Sequence, residues 1–389
     1  MKAEEIFQSY KEYVMPTYTK VPLTFVKGKG SRLWDVHHKA YLDFFPGWGV
    51  GSLGHCHPKV VSIVKDQVSK LIFIPNNYYN IPQAKLAEEI IRLSYPGKVF
   101  FCNSGAEANE AAIKFSRKFG RGRYEIITFE NSFHGRTLAA ITATGQKKYQ
   151  EGFAPLPEGF KTVAFNDLQA VKDAVSDKTV GIMLELIQGE GGINVATKDF
   201  VSGLKELCEK KNLLLIVDEV QTGIGRTGPL FCFQNYGITP DIMTLAKALG
   251  GGLPIGVMVV KKEIADILGP GTHASTFGGS PLVSAAALAV LKSIKKEKLL
   301  KNAKEMGGYL FSRLNTLKTK YPVIKEIRGM GLMAGVDLNV EGKQIVEKCL
   351  GKGLLINCTH DTVLRIMPAL NVTKKEIDKA IAILNEVLA

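Results

Sequence analysis

No run of about twenty apolar residues occurs in this 389-residue sequence, so no membrane-crossing helix and no membrane partner are expected. C-x-x-C pairs are missing, and the six cysteines (Cys56, Cys102, Cys208, Cys232, Cys349, Cys358) are expected to be reduced and mostly buried as small apolar side chains. No G-x-x-x-x-G-K-[ST] loop is present, which excludes the usual P-loop phosphate site. The net charge of +13 invites a nucleic-acid reading. Yet the lysines are scattered among acids, as in S-I-K-K-E-K, without a dense basic tract and interleaved aromatics. No nucleic-acid partner is expected. Repeats and low-complexity segments are absent as well. The opening M-K-A-E-E-I-F-Q-S-Y has no apolar signal core, so a cytoplasmic location is expected. His55, Cys56 and His57 in G-H-C-H-P have ligand chemistry, but no second cluster completes a metal site, and no metal is expected.

Apolar residues make up 46% and charged residues 22%, ordinary usage for a globular chain long enough for two or three domains. Residues 1–50 read as a helix followed by short strands, and G-W-G-V-G-S-L-G-H-C-H-P reads as a glycine-punctuated loop. Helical stripes begin at Pro58 and at about Pro82. From K-V-F-F-C-N to I-G-V-M-V-V, short β-branched runs alternate with amphipathic helices, which predicts a mostly parallel, helix-covered α/β sheet. A long helix from about Leu282 to Leu317, interrupted near Lys295 to Leu299, leads into a smaller α+β region. The expected division is an N-terminal segment, 1–50, lying with the small domain, a large domain, 51–285, and a C-terminal small domain, 286–389.

In such sheets ligands bind at the carboxyl ends of strands, where several groups stand out. After K-V-F-F-C-N, Ser104 and Glu107 have capping-box spacing, and Gly105 and Ala106 leave first-turn N–H groups open to an anion such as phosphate. A plain helix cap explains the same residues. After Y-E-I-I-T-F-E, the loop S-F-H-G-R-T brings Phe133, His134 and Arg136 together, a ring for stacking and a guanidinium for a carboxylate. Glu185 and Glu190 leave the next strand in E-L-I-Q-G-E-G-G, as acid–base groups, as arginine partners or as solvated turn residues. Asp218 emerges from the apolar L-L-L-I-V, which is costly unless it is paired, with backbone N–H groups or with a protonated ring nitrogen. The following G-I-G-R-T-G matches a dinucleotide fingerprint in letters only, because Pro229 follows it where a helix should open. Lys247 sits in I-M-T-L-A-K-A-L-G-G-G, where poor solvation should lower its pKa and free its amine for Schiff-base chemistry. The glycines Gly250 to Gly252 would give a tight turn and room beside it. For Lys247 alone, a lysine snorkelling from an apolar helix end is the simpler reading. Together these groups ask for a ligand with a phosphate, a flat ring, a basic ring nitrogen and an aldehyde. Pyridoxal 5'-phosphate (PLP) has all of them.

Taken as a set, L-G-H-C-H-P, N-S-G-A-E-A-N-E-A-A-I-K, S-F-H-G-R-T, E-L-I-Q-G-E-G-G, D-E-V-Q-T-G-I-G-R-T-G, A-K-A-L-G-G-G-L-P-I-G and S-T-F-G-G-S-P resemble the class III (ω-amino acid) aminotransferases of fold-type I PLP enzymes over nearly the whole chain. The resemblance implies that Lys247 bonds to the cofactor aldehyde, Asp218 pairs with the ring nitrogen, Gln221 meets the ring hydroxyl and Phe133 stacks on the ring. It implies phosphate contacts from Ser104, Gly105 and Ala106, and from Ser275 and Thr276 of S-T-F-G-G, with Thr276 reaching the phosphate of a neighbouring subunit, hence a homodimer. Arg136 would hold the carboxylate of the amino donor, and Arg365 that of glutamate or 2-oxoglutarate, with Glu190 pairing to Arg365 in between. Within the class, N-Y-Y-N-I-P-Q-A-K-L-A-E points to members that move the δ-amino group of N2-acetylornithine; ornithine, 4-aminobutyrate, acetyl-lysine and succinylornithine remain as alternative donors. Two departures stand out. Leu186 replaces a frequent proline, and Trp48 stands where ornithine-using members have a tyrosine. An indole lacks that hydroxyl, which counts against free ornithine.

Overall fold

A computed structural model describes residues 3–389; of the expected N-terminal segment, residues 1 and 2 lie outside the described residues. The chain opens with α1 (Ala3–Tyr13), β1 (Phe25–Lys29), β2 (Arg32–Asp35) and β3 (Ala40–Asp43), followed by α2 (Pro58–Val68) and α3 (Ile81–Leu93). Then come β4 (Gly97–Cys102), α4 (Gly105–Gly120), β5 (Glu125–Phe129), α5 (Leu138–Ala143), β6 (Phe160–Val163), α6 (Leu168–Ala174), β7 (Thr179–Leu184), a hairpin of β8 (Ile187–Gln188) and β9 (Asn194–Val195), α7 (Lys198–Lys211), β10 (Leu214–Asp218), β11 (Ile242–Leu245) and β12 (Gly256–Lys261). The remainder is α8 (Pro281–Lys296), α9 (Leu299–Lys320), β13 (Ile324–Met330), β14 (Met333–Leu338), α10 (Lys343–Gly351), β15 (Leu354–Leu355), β16 (Asn357–Thr359), β17 (Val363–Ile366) and α11 (Lys374–Leu388).

The large sheet has seven strands in the order β4-β12-β11-β10-β7-β5-β6. All run parallel except β12, which is antiparallel to both neighbours. Strands β7 and β10 are buried at every position, as expected of Val/Ile/Leu runs covered on both faces by helices. The mostly parallel α/β reading is thus what the chain adopts. The long helix expected after Pro281 is two helices, and the break falls at Glu297 and Lys298, where Lys298 takes a left-handed conformation (φ 54°). Helix α8 buries eleven of its residues, among them the run Ser284 to Leu291.

A second sheet, β13-β14-β17-β16, carries the C-terminal region. The third is mixed in origin: β1, β2 and β3 are joined by β15, with Leu42 opposite Leu354 in parallel register. The first fifty residues therefore share backbone hydrogen bonds with the C-terminal region, including Phe44 N–H to Leu355 O at 2.9 Å. Among the described residues no helix is long and apolar enough to cross a membrane.

Candidate active site

The carboxyl ends of β4, β5, β7, β10 and β11, and the start of antiparallel β12, meet at one end of the large sheet. They enclose a cavity of about 460 Å³. Its wall includes Ser104, Gly105, Ala106, Phe133, Arg136, Asp218, Gln221 and Lys247, which come from the segments at and after the ends of β4, β5, β10 and β11. These eight expected residues thus share one space.

Lys247 follows β11 in a short 3-10 turn closed by Gly251, and its backbone is left-handed (φ 44°), a conformation uncommon for any residue but glycine. Burial lowers its pKa, against upward pulls from Glu190 and Asp218. Asp218 is 4% exposed. Its Oδ1 accepts from Val220 N–H (3.0 Å), while Oδ2 accepts from Asn109 Nδ2 (2.8 Å) and lies 2.8 Å from His134 Nδ1. Its neighbour Glu219 is held mainly by backbone, taking N–H bonds from Cys232 and Phe233, and is pushed up to about 7 by burial.

At the start of α4, Ser104 Oγ accepts from Glu107 N–H (3.1 Å), as the capping spacing predicts. Glu107 does not close the reciprocal half on Ser104; its carboxylate takes Asn103 N–H at 2.6 Å. The first-turn N–H groups of Gly105 and Ala106 have no intrahelical acceptor and face the cavity. A side chain at Gly105 would strike Val220 at 2.8 Å, so this approach needs glycine. A Cβ at Gly189 would meet the Gln221 amide, which would have to turn away from it.

Arg365, on β17, is 1% exposed. Its Nη1 donates to Glu190 Oε1 at 2.6 Å and also to Gly189 O, and its Nη2 donates to Asn357 Oδ1 at 2.8 Å, the residue opposite it on β16. Its guanidinium carbon lies 4.6 Å from the centre of the Phe45 ring. Burial pushes the Glu190 pKa up, but the charge and hydrogen bonds of Arg365, with the Lys247 charge and the Gln221 amide, together outweigh it and the net shift is downward. Gln221 bridges the pair to the cavity, with its Nε2 3.4 Å from Glu190 Oε1.

Other expected residues are exposed or fall elsewhere. Trp48 is 47% exposed and packs edge-on to Phe45 at 5.5 Å, one ring removed from Arg365. Arg136 is exposed, with its guanidinium 4.1 Å from the Tyr149 ring. Ser275 and Thr276 lie outside the main cavity, in a separate one of about 390 Å³ beside Asn103 and His273. His55 bonds Asp43 (2.7 Å), whereas His57 turns to Glu297, so the G-H-C-H-P histidines face different partners. G-I-G-R-T-G forms a turn whose Arg226 is buried against backbone carbonyls.

Sequence reasoning missed Asn109 and Thr244. Thr244 Oγ1 donates to Asn109 Oδ1 (2.7 Å), which aims the amide N–H groups at Asp218 and the His134 carbonyl. The available signal was an asparagine among Ala108, Ala111 and Ala112 on the buried stripe of α4. Asn357 and Tyr149 carried no signal.

Residues 13–388 match the family model described as aminotransferase class-III. The chain belongs to the class-III aminotransferases. Among proteins similar to this aminotransferase, the acetylornithine aminotransferase of Methanocaldococcus jannaschii is 53% identical, with 100% of this chain and 98% of that protein aligned. Among solved structures, the ornithine aminotransferase of Toxoplasma gondii, described with PLP partly occupying its active site, superposes with a TM-score of 0.95 at 34% identity, covering 100% of this chain and 94% of that one. The acetylornithine aminotransferase of Elizabethkingia anophelis gives 0.90 at 31%, covering 100% and 99%. PLP is the cofactor of this class-III enzyme, and the cavity fits it. A buried lysine, a buried carboxylate and open helix-start N–H groups suit its aldehyde, ring nitrogen and phosphate.

Proposed function

We propose that this aminotransferase moves the δ-amino group of N2-acetylornithine to 2-oxoglutarate, giving N-acetylglutamate semialdehyde and glutamate. The observation that carries the donor is the likeness to curated acetylornithine aminotransferases, 46–53% identical over at least 97% of the chain. Trp48 supports it, since an indole offers no hydroxyl to a free α-ammonium and presents apolar surface to an acylated one.

Bound PLP supplies an aldehyde for the incoming amine and a ring that draws electrons from the substrate carbon. Lys247 anchors that aldehyde, and burial favours the neutral amine its role requires. Once displaced, the same amine takes the proton from the substrate carbon and returns it during transfer. Asp218, oriented by Asn109 and His134, holds the proton on the ring nitrogen. Ser104, Gly105 and Ala106 hold the phosphate, Phe133 covers the ring and Gln221 meets the ring hydroxyl. Arg136 takes the donor carboxylate. Arg365 takes the carboxylate of 2-oxoglutarate once Glu190 withdraws. Unpairing a buried arginine is tolerable only because the substrate carboxylate replaces Glu190.

A homodimer completes the site in this reading, with Ser275 and Thr276 serving the neighbour's phosphate. Thr276 and the aromatic rings of Tyr78, Tyr79 and Phe277 are exposed in a single chain, in keeping with a partner that covers them. The cytoplasm is the compartment we infer, supported by six cysteines that all stay free.

The decisive measurement is a donor panel with 2-oxoglutarate. Acetylornithine should give the highest kcat/KM, and an advantage of about tenfold for ornithine, 4-aminobutyrate, acetyl-lysine or succinylornithine would overturn the donor assignment. Ornithine is the second reading, because the Toxoplasma gondii ornithine aminotransferase superposes so closely.

A further inference from the structure

Glu185 begins the turn that leaves β7, lines the cavity and is 5% exposed, yet the reaction as proposed gives it no task. Its oxygens are divided between different loops. Oε2 accepts from Phe133 N–H at 2.9 Å, in the loop after β5. Oε1 accepts from Gly189 N–H at 3.1 Å, in the turn whose Gly189 carbonyl receives Arg365 and whose next residue is Glu190. Burial pushes this carboxyl upward, with the nearby Asp218 charge adding to the effect and His134 opposing it. A carboxylate kept at such a cost, where glutamine would fill the same space, marks a geometry that needs equivalent acceptor oxygens on both sides. Gln188 also links these loops, through Nε2 to Glu130 O at 2.7 Å.

We propose that Glu185 is a positioning residue that registers the segment bearing Phe133 against the turn bearing Glu190, so that one buried carboxylate sets both the ring-covering face and the Glu190–Arg365 pair. The inference rests on the reading of the cavity as the PLP site. In Glu185→Gln the amide oxygen can serve only one loop, and the amide N–H groups meet the N–H of the other. Residues 133 and 190 should then lose their energetic connection.

The test is a double-mutant cycle of Phe133→Leu and Glu190→Gln on the PLP-loaded enzyme. It is read as the dissociation constants of PLP and of glutarate, an unreactive dicarboxylate for Arg365. With Glu185 present, the double variant should depart from additivity by about tenfold in at least one constant. In the Glu185→Gln background the departure should vanish. Additivity within about twofold in the native background, or an unchanged departure in Glu185→Gln, overturns the proposal. A loss of melting temperature with the coupling intact would make Glu185 a structural residue and overturn it equally. If Glu185→Gln does not fold, the cycle in the native background decides alone. A preferred donor other than acetylornithine would overturn the donor assignment while leaving both binding constants as the measure of Glu185.

Discussion

Arg226 and Arg365 are each about 1% exposed, and they are held in opposite ways. Arg226 has no carboxylate among its bonded partners. Its Nη1 donates to Leu332 O and Pro368 O, and its Nη2 donates to Ser52 Oγ at 2.9 Å. Burial pulls its pKa down to about 10, which leaves it charged at neutral pH. Arg365 instead faces Glu190, a carboxylate with 17% of its side chain exposed at the edge of the cavity. Fixed neutral acceptors from distant segments make Arg226 a permanent tie between the early loop, the G-I-G-R-T-G turn and the C-terminal sheet. In the proposed reaction the Glu190 anion would give way to a substrate carboxylate, which would make Arg365 available to it. The same side chain is structural or functional according to whether its partner can leave.

Breaking Arg226 should have the largest effect. Arg226→Ala orphans acceptors in several segments and leaves a cavity, and should cost about 4 kcal/mol, read by chemical denaturation. A loss below about 1 kcal/mol would show that the tie is not what holds these segments. Arg365→Leu should cost less, about 3 kcal/mol, because it strands Glu190 near the cavity edge. Adding Glu190→Gln should then recover part of that loss, whereas no second substitution of a single acceptor should rescue Arg226→Ala.

The pH dependence gives the same pair a sign. Glu190 is held below the ordinary carboxyl value, so its stabilising contribution is complete above the unfolded value, roughly 4.3, and disappears as pH falls through the lower folded value. The stability gap between the native protein and Glu190→Gln should stay flat from neutrality to about pH 5 and close at more acid pH. A gap that grows on acidification would contradict the pairing. The smallest effect belongs to Phe45→Leu, which removes the ring beneath the Arg365 guanidinium and should cost roughly 1 kcal/mol beyond the volume change.

The architecture was legible because alternating β-branched runs and amphipathic stripes leave few alternatives to a parallel sheet, and a parallel sheet gathers its strand ends. That is why Ser104, Phe133, Asp218 and Lys247, far apart in the chain, could be expected in one place. What stayed hidden depends on register and side-chain direction. Nothing in the spacing of N-C-T and V-L-R-I says that Asn357 lies opposite Arg365 across a strand pair. Asn109 sits on an alanine-rich stripe and reads as a helix residue until the fold places Asp218 beside it. The reciprocal half of the cap at Ser104 is not made, because the Glu107 carboxylate takes the Asn103 N–H and side-chain amide. Trp48, expected at the substrate, is separated from Arg365 by Phe45, a stacking order no motif encodes.

The reversed strand β12 has a consequence for how this site tolerates change. Because β12 is antiparallel to β11, with Leu245 opposite Val257, the segment 246–255 that bears Lys247 is pinned to the sheet at both of its ends. The segments after β4 and β5 run on into α4 and α5, whose first turns can shift to absorb an extra residue. The lysine loop has no such slack. An inserted residue beside Lys247 would move its amine within the cavity, so length variation between β11 and β12 should be the change this chain accepts least.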